Sequence, residues 1–159
     1  MDSLKKRWNI TPLLKSDVES IACFHQKCFE DPWSDNFFKS LTQNVHVFGF
    51  LARDVDSKDI KGLIVGQVCQ GTAEIYTLAT HPQNRRQGIA TILIEKLIVL
   101  CITHLIENIF IEVNENNASA LMFYKNLGFI SYGKRSKYYL LSNNNFADAV
   151  LLQLRINKN

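Results

Sequence analysis

The chain has 159 residues, 47% of them hydrophobic and 21% charged, which is long enough to bury a core without disulfide staples or a structural metal. That composition excludes a disordered polyelectrolyte. Eighteen Lys and Arg against 15 Asp and Glu leave a formal charge of +3, too weak a bias to argue for a nucleic-acid binder and compatible with anionic ligands.

After a short polar leader that includes Lys5, Lys6 and Arg7, Trp8–Leu13 reads as a first strand. Ser16, Asp17, Val18 and Glu19 read as a capping box that opens a helix to about Phe29, with Val18, Ile21, Ala22 and Phe29 on one face. Ser34 is placed to cap a shorter helix through Leu41. His46–Arg53 and Ile60–Gln70 are strands joined by the turn-rich Asp54–Asp59, an antiparallel hairpin that Thr72–Thr80 extends into a meander.

The pattern then changes. Gly88–Ile106 has helical periodicity, Asn108–Val113 is a β-branched and aromatic strand, and Asn117–Leu127 is a helix closed by Gly128. Strand, helix and strand in succession imply a parallel crossover. A last hairpin, Phe129–Leu141 to Ala147–Ile156, completes the pattern. The fold class is α/β (α+β): a mixed central sheet of about six or seven strands with about four helices, antiparallel first and crossing over in parallel later. A single domain over residues 1–159 is expected, with no repeat or linker.

The most informative stretch is Arg85-Arg86-Gln87-Gly88-Ile89-Ala90, between the strand Thr72–Thr80 and the helix that starts near Gly88. A strand, a short basic turn and a helix N-terminus bring free N–H groups, the positive end of a helix dipole and two guanidinium groups around one volume, a cradle for a pyrophosphate. The turn fits neither the G-x-x-x-x-G-K-[ST] nor the G-x-G-x-x-G fingerprint. Taken alone, it is also what a solvated basic loop at a helix start looks like.

Arg-x-x-Gly-x-Ala at 85 to 90 resembles the acyl-CoA loop of the GNAT superfamily of N-acetyltransferases. Ile111-Glu112-Val113-Asn114, then Asn117-Ala118-Ser119-Ala120, then Phe123-Tyr124-Lys125-Asn126-Leu127-Gly128-Phe129 resemble that superfamily's strand-helix-strand end. Asp31-Pro32-Trp33-Ser34 followed by Phe37 is similar to an early segment of the bacterial ribosomal-protein-alanine N-acetyltransferases.

The resemblance implies acetyl-CoA as co-substrate, held by Arg85, Arg86, Gln87, Gly88, Ile89, Ala90 and Thr91, by the strand backbone at Leu78, Ala79 and Thr80, and by Asn117. Ala90 stands where the family often has a second Gly. The resemblance further implies Glu112 as general base, often through water, and Tyr124 as the acid that protonates the leaving thiolate. From the residues alone, Glu112 shares a strand face with Phe110 and Asn114 and is either partly buried or near a solvated strand end. Tyr124 is on the same footing an ordinary core phenol or a proton donor. Asn117 is also a helix cap.

Trp33 and Tyr138 are expected to shape a peptide groove, with Tyr139 beside the latter. An α-amine of pKa about 7.8 is roughly a quarter neutral near pH 7.4, whereas a lysine at about 10.4 is about 0.1% neutral, so one carboxylate suffices more readily for the former. The expected partner is therefore a protein N-terminus, alanine of a small-subunit ribosomal protein on the resemblance. A lysine, a small-molecule amine or a non-catalytic acyl-CoA-binding module are the alternatives.

The four cysteines, at 23, 28, 69 and 101, show no C-x-x-C pair or zinc spacing, and the four histidines, at 25, 46, 81 and 104, no H-x-x-x-H. No metal and no cysteine nucleophile are implied. Lys134, Arg135 and Lys137 read as a solvated charge run. Without a signal pattern, and with Ile92–Leu105 broken by Glu95, Lys96 and His104, a cytoplasmic monomer without membrane or direct nucleic-acid contact is expected.

Overall fold

β-Branched and aromatic residues dominate the extended segments of this chain, and they assemble as β1 (Trp8–Pro12), β2 (Val47–Asp54), β3 (Ile60–Cys69), β4 (Thr72–Thr80), β5 (Asn108–Asn114), β6 (Ile130–Leu140) and β7 (Phe146–Arg155). The helices are α1 (Val18–Cys28), α2 (Asp35–Gln43), α3 (Ile89–Thr103) and α4 (Ala118–Asn126). The computed structural model describes residues 7–156, so Lys5 and Lys6 lie outside the described residues. The strands form one mixed sheet of seven, in the order β1-β2-β3-β4-β5-β7-β6. By its contacts the chain divides into two compact units, one made of residues up to Cys69 with Tyr76–Leu100, the other of Gln70–Ile75 with Cys101 onward.

In the first unit β1, β2 and β3 are antiparallel, with Leu51 opposite Leu63 and Ala52 opposite Gly62. Period-2 alternation sends these pairs to opposite faces. Leu51, Leu63, Val65 and Ala79 pack against Ile21, Ala22 and Phe24 of α1 and Phe38 of α2. Gly62 instead meets α3: a Cβ there would stand 2.3 Å from Ile89 Cγ2, so only glycine lets the first residue of α3 sit on β3.

Two local expectations met different outcomes. Ser34 caps α2, its hydroxyl accepting from Phe37 N–H at 3.3 Å. Ser16 does not cap α1: residues Lys15–Asp17 form a 3-10 turn, and Asp17 Oδ2 accepts from Leu14 N–H at 2.9 Å. Asp17 is instead the residue that precedes α1, and its other oxygen pairs with Arg53 at 2.7 Å.

In the second unit residues 72–75 pair in parallel with 108–111, the crossover expected from sequence. β7 inserts between β5 and β6, antiparallel to both. Ile109, Ile111 and Val113 are buried, while Phe110, Glu112 and Asn114 on the other face are half-buried. The β6–β7 register slips twice, between Ser131 and Gly133 and between Arg135 and Tyr139. At the second slip Lys137 takes φ +52° and its N–H donates to Asp148 Oδ1 at 2.9 Å. Such a bulge re-aims the side chains around it, here Arg135, Tyr138 and Tyr139. α4 begins with Asn117 Oδ1 accepting from Ala120 N–H at 3.1 Å and ends at Gly128, φ +91°.

Candidate functional site

β4 runs into a 3-10 turn, Pro82–Asn84, and then into the bend that opens α3. Arg86 takes φ +63° and Gly88 φ +79°. Left-handed residues interleaved in this way make a backbone concavity of N–H groups that suits an anion. Gly88 meets that demand without a Cβ penalty, whereas Arg86 adopts it against the usual preference of a side-chain-bearing residue.

The helix ladder starts with Ile92 N–H to Gly88 O at 3.0 Å. The amides of Ile89, Ala90 and Thr91 therefore precede any intrahelical bond and carry the positive end of the helix dipole. Ile89 is buried and anchors the turn, while Arg85 and Arg86 are exposed and Gln87, Gly88, Ala90 and Thr91 half-buried. Gln87 is held by weak contacts at 3.5 Å to Gln83 O and Asn84 Nδ2. The chemistry of this donor set, amides plus the guanidinium groups of two exposed arginines, fits a diphosphate.

Leu78, Ala79 and Thr80 end β4. Ala79 is buried in the core, whereas Leu78 and Thr80 are half-buried and turn to the opposite face. The ladder with β5 covers residues 72–75 only, so this half of β4 has one backbone edge outside that ladder.

Trp33 sits in an aromatic cluster with His25 at 5.1 Å, Phe37 at 4.8 Å and Phe38 at 5.5 Å between ring centroids. His25, 2% exposed, organises it. Its Nδ1 accepts from Trp33 N–H at 3.1 Å, so the proton belongs on Nε2, which lies 3.3 Å from Thr77 Oγ1 of β4. Burial lowers its pKa to about 4. His25 therefore ties the Pro32-Trp33-Ser34 segment to the strand that carries Leu78 and Thr80. Helical spacing with Ile21 and Ala22 marks position 25 as inward-facing, but the two hydrogen-bond partners, 8 and 52 residues away, had no signal in sequence.

In the second unit the Glu112 side chain is 18% exposed, on the partly buried side of the two sequence readings. Its Oε1 lies 2.8 Å from Arg135 Nη2, and the Tyr138 hydroxyl donates to its carboxylate. The Tyr139 hydroxyl donates to the Glu112 carbonyl at 3.4 Å. That hydrogen bond from Tyr138 to the carboxylate, with burial and the Glu112 charge, raises the Tyr138 pKa, and burial with the same charge raises that of Tyr139 to about 12. The Arg135 guanidinium lies 5.1 Å from the Tyr138 ring centroid. Structure thus joins Glu112 and Tyr138, two residues singled out in sequence, through Arg135 and Tyr139. Arg135 is exposed, as a solvated run implies, yet it also holds an ion pair with Glu112, and Lys134 pairs with Glu115 at 3.1 Å.

Tyr124 is 4% exposed, with edge-on contacts to Phe123 and Phe129 at 5.1 and 5.2 Å. No hydrogen bond of its hydroxyl is found among the described residues, and burial raises its pKa well above the ordinary phenol value, so it remains a proton carrier at neutral pH. Asn117 is exposed and its side-chain oxygen is engaged in capping α4. Among the described residues no group of His, Cys, Asp and Glu is arranged to hold a metal ion, and none of the four cysteines forms a disulfide.

Residues 18–129 match the model of the acetyltransferase (GNAT) family. The chain is 26% identical over 147 residues to the [ribosomal protein bS18]-alanine N-acetyltransferase of Escherichia coli K12, covering 92% of this chain and 97% of that one. It is 30% identical over 135 residues to N-alpha-acetyltransferase 30 of Schizosaccharomyces pombe, covering 82% of this chain and 89% of the relative. The crystal structure of the Escherichia coli ribosomal-protein-S18-alanine N-acetyltransferase superimposes with a TM-score of 0.88 at 26% identity, over 96% of both chains.

Proposed function

We propose that this chain, which belongs to the acetyltransferase (GNAT) family and is an N-acetyltransferase, takes acetyl from acetyl-CoA and places it on the N-terminal amine of a protein, alanine of a small-subunit ribosomal protein being the first candidate. The observation that carries the donor half is the left-handed pair Arg86 and Gly88 opening α3 on a seat at Gly62. Arg85–Thr91 hold the diphosphate. The backbone of Leu78, Ala79 and Thr80 runs beside the pantetheine arm and offers an N–H to the thioester oxygen, where charge develops as the amine attacks. Asn117 adds a contact to the coenzyme arm.

For the acceptor, Glu112 takes the proton of the attacking amine, directly or through water, and Tyr124 returns one to the departing coenzyme thiolate. The amine nitrogen bonds to the acetyl carbon, the carbon–sulfur bond breaks, and the net proton passes from amine to thiol. A buried phenol remains protonated up to high pH and is suited to the second task. Trp33 and Tyr138 line the path of the acceptor peptide. The likenesses to an alanine N-acetyltransferase and to an N-alpha-acetyltransferase favour a protein N-terminus over a lysine or a polyamine. One acetyltransferase domain spanning the chain, at work as a monomer in the cytoplasm, completes the reading.

The test is incubation with labelled acetyl-CoA and two acceptors, an alanine-initiated peptide and spermidine, with mass spectrometry of the products. N-terminal acetylation of the peptide is expected; exclusive labelling of spermidine overturns the acceptor assignment, and no heat of association with acetyl-CoA overturns the donor assignment.

A further inference from the structure

We propose that Arg135 is a specificity-determining positioning residue: it occupies the Glu112 carboxylate and presents positive charge there, so that the acceptor amine is bound in its neutral, nucleophilic form. The proposal rests on the reading of Glu112 as the base. Across the sheet, Gly133, Leu151 and Glu112 form one row and Arg135, Ala149 and Asn114 the second row from it, on the same face. Arg135 thus reaches diagonally over β7, where the short Ala149 side chain lies in its row, to bring Nη2 within 2.8 Å of Glu112 Oε1. The Tyr138 ring lies against its guanidinium, and the Tyr138 hydroxyl also donates to the carboxylate. A cation held between a carboxylate and an aromatic face is fixed in place although its side chain is 56% exposed.

The charged and titratable groups around the Arg135–Glu112 pair are Glu74 of β4, which acts together with both on Tyr132 and Tyr138, and Tyr132, Tyr138 and Tyr139 of β6. β7 contributes Leu151 and Ala149 in the same rows, neither of which titrates. The tyrosines are neutral at physiological pH, so the charge around Tyr132 and Tyr138 is set by two carboxylates, Glu112 and Glu74, and one guanidinium, that of Arg135. Without Arg135 the two negative charges would hold an acceptor as ammonium, which binds well and cannot attack. With Arg135 the like charge raises the cost of the ammonium form and leaves the neutral amine unaffected. Arg135 also sets a cost on acceptors whose second group is cationic, and offers an anchor to those with a carbonyl or acidic group near the amine.

The experiment compares the wild-type enzyme with Arg135→Gln, Arg135→Lys and Glu112→Gln. The single-turnover rate at saturating alanine-initiated peptide is followed from about pH 6 to about pH 9.5, where its acid limb reports groups in the bound complex. Arg135→Gln is expected to move that limb up by about half to one pH unit, slowing the reaction about 3- to 10-fold below neutrality and restoring it at high pH. Arg135→Lys keeps the limb near its wild-type position. Calorimetry of the same peptide with the CoA-bound enzyme near pH 6.5 is expected to show tighter binding to Arg135→Gln by about 3- to 10-fold. A merely structural Arg135 would slow the enzyme equally at every pH and weaken the peptide, and either result overturns the proposal. Full activity in Glu112→Gln overturns the underlying reading of the base instead, so the two failures are distinct.

Discussion

Acidification should remove a defined part of this protein's stability through one residue, His25. Its Nδ1 accepts the Trp33 N–H, and Phe29, Trp33 and Phe38 surround the ring, so a proton arriving at Nδ1 breaks that bond and buries a charge among aromatic rings. The folded-state pKa is lowered to about 4, from 6.5, by burial. A folded pKa below the unfolded one means that the stabilisation is whole above about pH 6.5, declines as pH falls, and is gone near pH 4. A shift of that size corresponds to about 3 kcal/mol in total, of which about 2 kcal/mol is lost between about pH 7 and pH 5. His25→Asn keeps an acceptor oxygen for Trp33 N–H and does not titrate there. Urea unfolding of both proteins should therefore show a stability gap that narrows by about 2 kcal/mol from pH 7 to pH 5, while losses from carboxylates cancel in the difference. A gap of equal size at both pH values would show that His25 does not titrate as its burial demands.

Gly62→Ala drives a methyl into Ile89 and is expected to cost about 1–3 kcal/mol in thermal unfolding and to weaken acetyl-CoA in calorimetry, because the start of α3 must shift; an unchanged midpoint and affinity would mean that α3 is not seated on this glycine. Tyr124→Phe removes a hydroxyl with no hydrogen bond among the described residues, so stability should stay within about 0.5 kcal/mol while the single-turnover rate drops about 100-fold or more. Wild-type turnover in that variant removes Tyr124 from proton transfer. Asn117→Ala should lower stability by about 1 kcal/mol through loss of the α4 cap, read by urea unfolding.

What could be read from sequence was what the chain decides locally. β4 occupies Thr72–Thr80 as its alternation of small, β-branched and polar residues requires, and Asn117 and Gly128 bracket α4 because cap chemistry acts within four residues. What could not be read there shares a cause. Ser16 satisfies a capping pattern, but Asp17, one residue on, accepts from Leu14 N–H and pairs with Arg53, 36 residues away, and so sets the start of α1. The order β5-β7-β6 depends on pairing between Asn108 and Arg155, which periodicity does not encode. Arg135 is exposed as its place among lysines suggests, but its ion pair with Glu112, formed across an intervening strand, had no signal in sequence.

The same division separates the two halves of the proposed reaction. The residues proposed to hold the diphosphate are contiguous: a left-handed Arg86, a left-handed Gly88 and the first amides of α3 form one covalent stretch, and chemistry shared by every acetyl-CoA-dependent transfer can be carried by such a stretch. The residues proposed to face the acceptor are scattered in sequence, and each group of them is held by single contacts such as the Trp33 N–H to His25 and the Arg135 pair with Glu112. A contiguous motif keeps its geometry when distant positions change, whereas a constellation of single contacts can be altered one residue at a time. Substitutions at His25, Arg135 or Tyr138 should therefore alter which amines are accepted while leaving acetyl-CoA affinity in place, and changes at Arg86 or Gly88 should weaken the donor for every acceptor alike. A competition assay with mixed N-terminal peptides, run beside calorimetry of acetyl-CoA, separates these outcomes; loss of donor affinity in Arg135→Gln would show that the halves are not independent.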